Sequence, residues 1–375
     1  ADGWPVYGGL ARFTDSVRLD RKGLVGNGRF DFLASQTHSA AQYYRPKDMD
    51  MIAERFEQDM TQYPVSNGKS YPYLKADSVK GFFDVEAATF RLSTTSRHSL
   101  YPYYDPWRFD GVYAFSEDGT AADGEMVFGH DARIKASDWR WDDHRFRAED
   151  ADFQLGGRAG GRGAYLIAQG VGISGDTEAR TLQMQASGMA LPTEPVAVRM
   201  PVQAYEAEAY RLQWSWADEQ LYLEQQLSAA WGAETAGMAS VPVSGEIVPG
   251  GATADSVGLS LHATAKSQAD LQFNAWHSTL YYKDTLMVCE GVNGLQVADA
   301  YWVPAGNRVT VLPNGHLEAF EDAALYFSEA YPAYEFHQVS GRIESAWSYE
   351  ADGWYTYEAP GLESQPVQFE RIHVR

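Results

Sequence analysis

Hydrophobic and polar residues alternate with a period of two along most of this chain, and turn residues break the alternation about every ten residues. Residues 285–327 carry the pattern most densely. Leu286, Val288, Val292, Leu295, Val297 and Ala300 alternate with polar or small residues, and Val309, Val311, Leu317, Ala319, Ala323, Leu325 and Phe327 continue the series. Gly291, Gly294, Pro304-Ala305-Gly306-Asn307 and Pro313-Asn314-Gly315 punctuate it. Period-two alternation buries one face of a strand. Gly and Asn accept positive φ cheaply and so close the turns between strands. The chain is therefore predicted to be all-β: an elongated stack of short strands, either a β-solenoid or an extended, twisted β-taco-like sheet, with at most one or two short helices.

The same pattern divides the chain. A first β unit is expected over residues 1–156, with an internal repeat, a second over 164–228 and a third over 256–375, or else one continuous array. The Gly-rich run at 157–163 and the Gly-, Pro-, Ala- and Thr-rich run at 229–255 read as loops. Two stretches depart from strand spacing. Met51, Ile52, Phe56 and Met60 fall at helical intervals, so a helix is expected over residues 48–60, the rival being a strand with Ile52, Glu54 and Phe56 on one face. Residues 203–227 have helical composition, but Tyr205, Ala207 and Ala209, then Leu212, Trp214 and Trp216, alternate. Strands with a turn at Ala217-Asp218-Glu219 are expected there. An acidic–Ala–x–apolar–x–apolar unit recurs from Glu86, Asp150, Glu208, Asp299 and Asp322, and residues 23–56 match residues 119–153 loosely. Repeated strand units that stack on their neighbours build solenoids and long sheets.

Composition narrows the function classes. Hydrophobic residues at 45% and charged residues at 22% suffice for a large core and argue against intrinsic disorder. The net charge is −21 and uneven. Residues 1–189 hold 22 Lys+Arg against 27 Asp+Glu, and residues 190–375 hold 8 against 24. Such a chain repels phosphates, so nucleic acid is set aside as a partner. Cys289 is alone, which rules out an internal disulfide, and its apolar neighbours Met287, Val288 and Val292 point to a buried, inert thiol. No apolar run of transmembrane length occurs. The chain opens on Ala1 without a visible signal peptide, as expected of a processed product or an internal fragment.

Three stretches, taken together and in order, resemble a known family. They are DSVRLDRKGLVGNGRFDFLAS (15–35), DGEMVFGHDARIKASDWRWDDHRFRAEDADFQL (123–155) and GLQVADAYWVPAGNRVTVLPNGHLEAFEDAALYF (294–327). They are similar to the repeated β-rich body of very large, uncharacterised proteins encoded in Bacteroidota. The resemblance implies a cell-envelope setting, periplasmic or outer-membrane associated. It implies as partners other envelope proteins or the neighbouring repeats of a longer chain. It carries no known reaction, cofactor or catalytic residue. This chain departs from the family in being short and more acidic.

Candidate chemistry lies in the loops. Residues 93–109 form an unusually aromatic connection, in which Tyr101, Tyr103, Tyr104 and Trp107 sit near Arg108 and Asp110, with Tyr71 and Tyr73 in the preceding loop. Flat rings beside polar groups suit sugar stacking; the rival reading is that the rings anchor the loop to the sheet. Trp139 and Trp141 share a strand face and would extend a platform. A polysaccharide lyase or glycoside hydrolase could recruit His98, Tyr103, Asp105 and Arg108, but nothing in the sequence singles them out. His130-Asp131 and Asp142-Asp143-His144 have metal-ligand chemistry, but a polar hairpin turn has the same composition. There is no P-loop, dinucleotide fingerprint, Gly-x-Ser-x-Gly elbow or His-Glu-x-x-His. No catalytic residue, metal or cofactor is assigned. The expected function is a non-enzymatic envelope protein that presents or covers surface; the alternatives are a carbohydrate-active enzyme or a glycan-binding module on a β scaffold.

Overall fold

The structure, a computed structural model, describes residues 3–21, 23–60, 70–104, 106–157, 163–188, 194–224, 259–268, 270–327, 334–358 and 363–374. The expected loop at 229–255, most of that at 157–163, and Asp105 lie outside them. Among the described residues strand accounts for 70% and helical turns for 4%. The chain is all-β, and the described strand ladders are antiparallel.

Two compact units result, residues 1–156 with 169–188 and residues 157–168 with 189–375. The first contains β1 (Trp4–Val6), β2 (Ala11–Asp20), β3 (Gly23–Phe32), β4 (Ser35–Tyr44), β5 (Asp48–Gln58), β6 (Leu74–Asp84), β7 (Thr89–Ser93), β8 (Leu100–Pro102), β9 (Trp107–Ser116), β10 (Gly119–Phe128), β11 (Ala132–Trp141) and β12 (Arg145–Gly156). The boundary falls inside β13 (Ala164–Asp176), and β14 (Thr181–Ala186) completes the first unit. Successive strands pair as a meander. The long β6 pairs with β7 at one end and β8 at the other, and both pair onward with β9.

The second unit contains β15 (Val196–Met200), β16 (Tyr205–Ala209), β17 (Arg211–Ser215), β18 (Gln220–Glu224), β19 (Leu259–Ala263), β20 (Gln272–Ala275), β21 (His277–Tyr281), β22 (Leu286–Glu290), β23 (Leu295–Val297), β24 (Ala300–Val303), β25 (Arg308–Val311), β26 (Phe320–Tyr326), β27 (Glu335–Ser345), β28 (Ser348–Tyr357) and β29 (Gln365–Val374). The expected turn at Ala217-Asp218-Glu219 joins β17 to β18. Here long strands are broken in two. β16–β19–β20–β23–β24 form one run of ladders and β17–β18–β21–β22–β25 another, before β26 to β29 resume as longer strands.

The alternation slips by one residue in mid-strand, and this slip overturns the expected helix over 48–60. That stretch is β5, in which Met49, Met51 and Ala53 are buried and then Phe56 and Gln58. Ile52 is exposed by the regular alternation between Met51 and Ala53, and the slip at Glu54-Arg55 then spaces the apolar residues as a helix would. The rival strand reading holds in its element but not in its face, because Ile52 and Glu54 are exposed and Phe56 is buried. Neighbours slip alike. In β6 the slip is at Ser78 (φ 57) and in β12 at Asp150 (φ 49). In β3 and β10 it coincides with ladder shifts at Gly28 and Gly124. A Cβ on Gly124 would lie 2.3 Å from the Asp110 carbonyl oxygen. An extra residue in one strand bends it and raises its twist, so bulges in several strands curl the sheet.

The curl explains the core. Phe30 of β3 meets Phe83 of β6 (5.4 Å between ring centres) and Phe90 of β7 (5.9 Å), and Phe32 meets Phe115 of β9 (5.5 Å). These strands are not ladder neighbours, so the first unit's sheet wraps around its aromatic residues. In the second unit Trp302 of β24 meets Tyr349 of β28 (5.5 Å), which is no ladder neighbour, and also Phe320 of the adjoining β26 (5.4 Å).

Candidate functional site

The aromatic loop divides its rings between core and surface. Tyr103 and Trp107 are buried. The Tyr103 hydroxyl donates to the Arg145 carbonyl (2.7 Å), and burial pushes its phenol well above its ordinary pKa. Trp107 packs edge to face on Phe128 (4.8 Å) and Phe146 (5.3 Å). Tyr101 and Tyr104 are 48% and 55% exposed. Tyr104 lies flat on Tyr73, with ring centres 4.0 Å apart and planes 13° apart. Successive positive φ values at Tyr103 (56°) and Tyr104 (67°) send the two side chains to different environments. The four rings therefore do not form one platform. Trp139 and Trp141 are also buried, packed with Phe109 and, for Trp141, stacked on Tyr113 at 5.0 Å.

The polar candidates have separate partners. Arg108 pairs with Asp110 (3.3 Å), which also accepts a hydrogen bond from Ser99. Backbone hydrogen bonds in both directions join His98 to Thr95. Tyr103 is turned to Arg145, so the described members of this set are not gathered around one point. The Asp142-Asp143-His144 stretch is a hairpin turn. Asp143 Oδ1 accepts from the His144 N–H (2.9 Å), and His144 Nε2 lies 3.2 Å from Glu178. At His130-Asp131, the Asp131 N–H donates to the Phe128 carbonyl (3.0 Å), again a turn. Among the described residues no group of three His, Cys, Asp or Glu is placed to hold a metal ion. Cys289 is buried opposite Ser278, and burial pushes its thiol up to about 12.

A groove of about 510 Å³ in the first unit was not legible from the sequence. Arg91 of β7, Phe115 and Ser116 of β9, Thr120 of β10, and Arg140 and Trp141 of β11 line it, and Ser70, Asp118 and Asp142 add polar groups. Arg91, residues 115–120 and residues 140–142 come from separate stretches that only the order β7–β9–β10–β11 brings together, and of them the sequence singles out Trp141 and Asp142 for other roles. Thr120 is fully used: its hydroxyl donates to the Trp141 carbonyl (2.7 Å) and accepts from the Trp141 N–H (2.8 Å). The Trp141 indole N–H is buried without an acceptor among the described residues. Arg140 is paired with Asp138 at 2.9 Å, whereas Arg91 makes no ion pair among the described residues. The arrangement offers hydrogen-bond donors and hydroxyls at the edge of an aromatic core, a chemistry suited to binding an acceptor-rich small molecule. Compared with protein-family models, with curated proteins and with solved structures, the chain matches none.

Proposed function

We propose that the protein works without catalysis, as a cell-envelope interaction protein whose sheet edges pair with neighbouring copies or with adjoining repeats of a longer chain. The envelope setting rests on the resemblance of residues 15–35, 123–155 and 294–327, and so does the reading of the body as a repeat or solenoid. The observation that carries the interaction reading is β29. It pairs with β28 alone among the described residues, and Glu363–Arg371 are exposed. Val367 and Phe369 are among its exposed side chains, and Phe369 touches Phe336 at 5.3 Å in an aromatic cluster with Tyr355. An open strand edge is a template for another strand unless it is covered or blocked. Pro366 and the positive φ of Arg371 (62°) bound the free stretch to Val367–Glu370.

The first unit has an open edge as well. Among the described residues β1 covers only Ala11–Phe13 of this edge of β2, and beyond it Val17 and Leu19, the latter 81% exposed, carry apolar side chains. Charge favours pairing β29 with this edge of another copy over pairing it with itself. Residues 190–375 hold 8 Lys+Arg against 24 Asp+Glu, whereas residues 1–189 hold 22 against 27 and β2 itself is neutral, with Arg12 and Arg18 against Asp15 and Asp20, so β29 meets less repulsion there than at a second copy of its own acidic half. Unlike surfaces joined in this way form an open series rather than a closed dimer.

Two variants test this reading, Val17→Lys/Leu19→Lys and Val367→Lys/Phe369→Lys, by sedimentation velocity. The wild type is expected to associate with rising concentration. Each variant alone is expected to stay monomeric, and the two mixed to form a one-to-one pair. A wild type that remains monomeric throughout overturns the reading. The second reading, a glycan-binding module or carbohydrate-active enzyme, is supported by the groove lined by Arg91, Arg140 and Trp141. Shortening of acidic, neutral or sulfated glycans on incubation would replace the non-enzymatic reading by the enzyme, with Asp118 and Asp142 the carboxylates to substitute first.

A further inference from the structure

We propose that the groove over β7, β9, β10 and β11 is a binding site for a uronate, the acidic sugar of a polysaccharide. The proposal rests on the glycan-binding reading and is independent of the open edges. Its volume of about 510 Å³ falls within the roughly 300–1,000 Å³ of small-molecule sites. Three features select the ligand.

The first is Arg91. It lies on the exposed face of β7 within the groove and has no carboxylate partner among the described residues. A guanidinium in such a setting binds a carboxylate through two parallel N–H···O bonds, which lysine cannot reproduce. The neighbouring Arg140 is already paired with Asp138 and adds positive potential more than a free fork.

The second is the floor of the groove. Arg91 stands opposite Ala114 and Ala114 opposite Ala121, and all three line the groove. Such short side chains leave room beside the guanidinium for a sugar ring.

The third is the polar rim. Ser70 and Ser116 supply hydroxyls, and Asp118 and Asp142 supply carboxylate acceptors. Sugar hydroxyls both donate and accept, so they can use this mixed set, which a simple inorganic anion cannot. A neutral sugar would leave Arg91 without its charge partner; a uronate satisfies both the guanidinium and the rim.

The test is titration calorimetry of the full chain with trigalacturonate and with galactotriose, its neutral counterpart. Trigalacturonate is expected to bind at least tenfold more tightly, and to weaken as salt is raised. Arg91→Ala is expected to lose at least tenfold, with Arg91→Lys recovering only part. Arg91 is exposed, so neither change threatens the fold. Equal binding of the two sugars overturns the choice of a uronate. Trigalacturonate binding that is unchanged in Arg91→Ala overturns the site while leaving glycan binding intact. Failure of both sugars, together with a panel of acidic and sulfated glycans, overturns the site and the glycan-binding reading together. Binding of monomeric galacturonate as tightly as the trimer would place one ring in the groove; tighter binding of the trimer would place a polysaccharide chain along it.

Discussion

Cys289 and Tyr103 show how burial decides what a reactive side chain does. Both have groups that chemistry can use, and both are enclosed. The Cys289 thiol is raised from 9.0 to about 12, first by desolvation, with Ser278 opposing and Glu290 adding to the rise. A thiol is neutral when protonated, so its folded state holds the proton to higher pH than its unfolded state. The resulting stability is present in full below pH 9 and is lost as pH rises toward 12. Tyr7 and Tyr326, raised from 10.0 to about 12 mainly by burial, act in the same sense over the upper part of that window. Urea unfolding at several pH values above 9 is expected to show falling stability. In Cys289→Ala the fall should be shallower by up to about 1.4 kcal/mol per pH unit, the value of one proton. An equally steep fall in the variant would remove Cys289 from the account. The sequence disclosed this residue's role, because Met287, Val288 and Val292 surround it in an alternating run. It did not disclose the fate of Tyr103 and Tyr104, because two successive positive φ values set their directions and Tyr is not a residue that announces them.

Strands are legible from period two as long as the period holds, and the bulges are where it fails. The alternation of 203–224 carries directly into β16 to β18, and that of 285–327 into β22 to β26. Over 48–60 the slip between Ala53 and Phe56 imitates helical spacing, and only pairing with β4 and β6 reveals a strand. The acidic–Ala units fall at different places: Asp150 and Asp322 at positive-φ positions within strands, Glu86 and Asp299 in or beside turns. The match of 23–56 with 119–153 aligns Gly23 with Gly119 and Gly28 with Gly124, four glycines with positive φ at like places in β3 and β10. These glycines can be weighed. Gly124 (φ 155) has the Asp110 carbonyl 2.3 Å from the point where a Cβ would sit, whereas Gly129 (φ 52) has nothing within 4 Å. Gly129→Ala pays for left-handed backbone alone, roughly 1–2 kcal/mol. Gly124→Ala adds a backbone clash and must open the β9–β10 ladder, so a loss beyond about 3 kcal/mol is expected. Chemical denaturation of the two variants measures the difference. Equal losses would mean that the bulge at Gly124 relaxes without cost, and would weaken the case that bulges set the curl.

At the scale of the whole molecule the sequence disclosed the class and the charge but not the groove. Alternation and turn spacing depend on neighbours along the chain, and they suffice for an all-β reading. The groove depends on which strands lie side by side, which no local pattern states. Charge is additive and is read directly: −21 in total, with residues 190–375 holding three times as many acids as bases. The ion pairs that offset it are exposed, for example Arg55–Glu57, Arg140–Asp138 and Arg342–Glu350. Such pairs contribute about 0–1 kcal/mol each and weaken with salt. Two opposing effects follow when salt is raised from 10 to 150 mM, as the Debye length falls from about 30 to about 8 Å. Screening weakens the surface pairs slightly, and it relieves the mutual repulsion of the excess carboxylates. The pairs act over a few ångströms, where screening is weakest; the repulsion acts over longer separations, where screening is strongest. The melting temperature is therefore expected to rise between 10 and 150 mM NaCl. Neutralising acids in the second unit, as in Glu206→Gln with Glu208→Gln on β16, should reduce that rise. A melting temperature that falls with salt would mean that the ion pairs outweigh the repulsion, and that the acidic excess is spread too thinly to strain the fold.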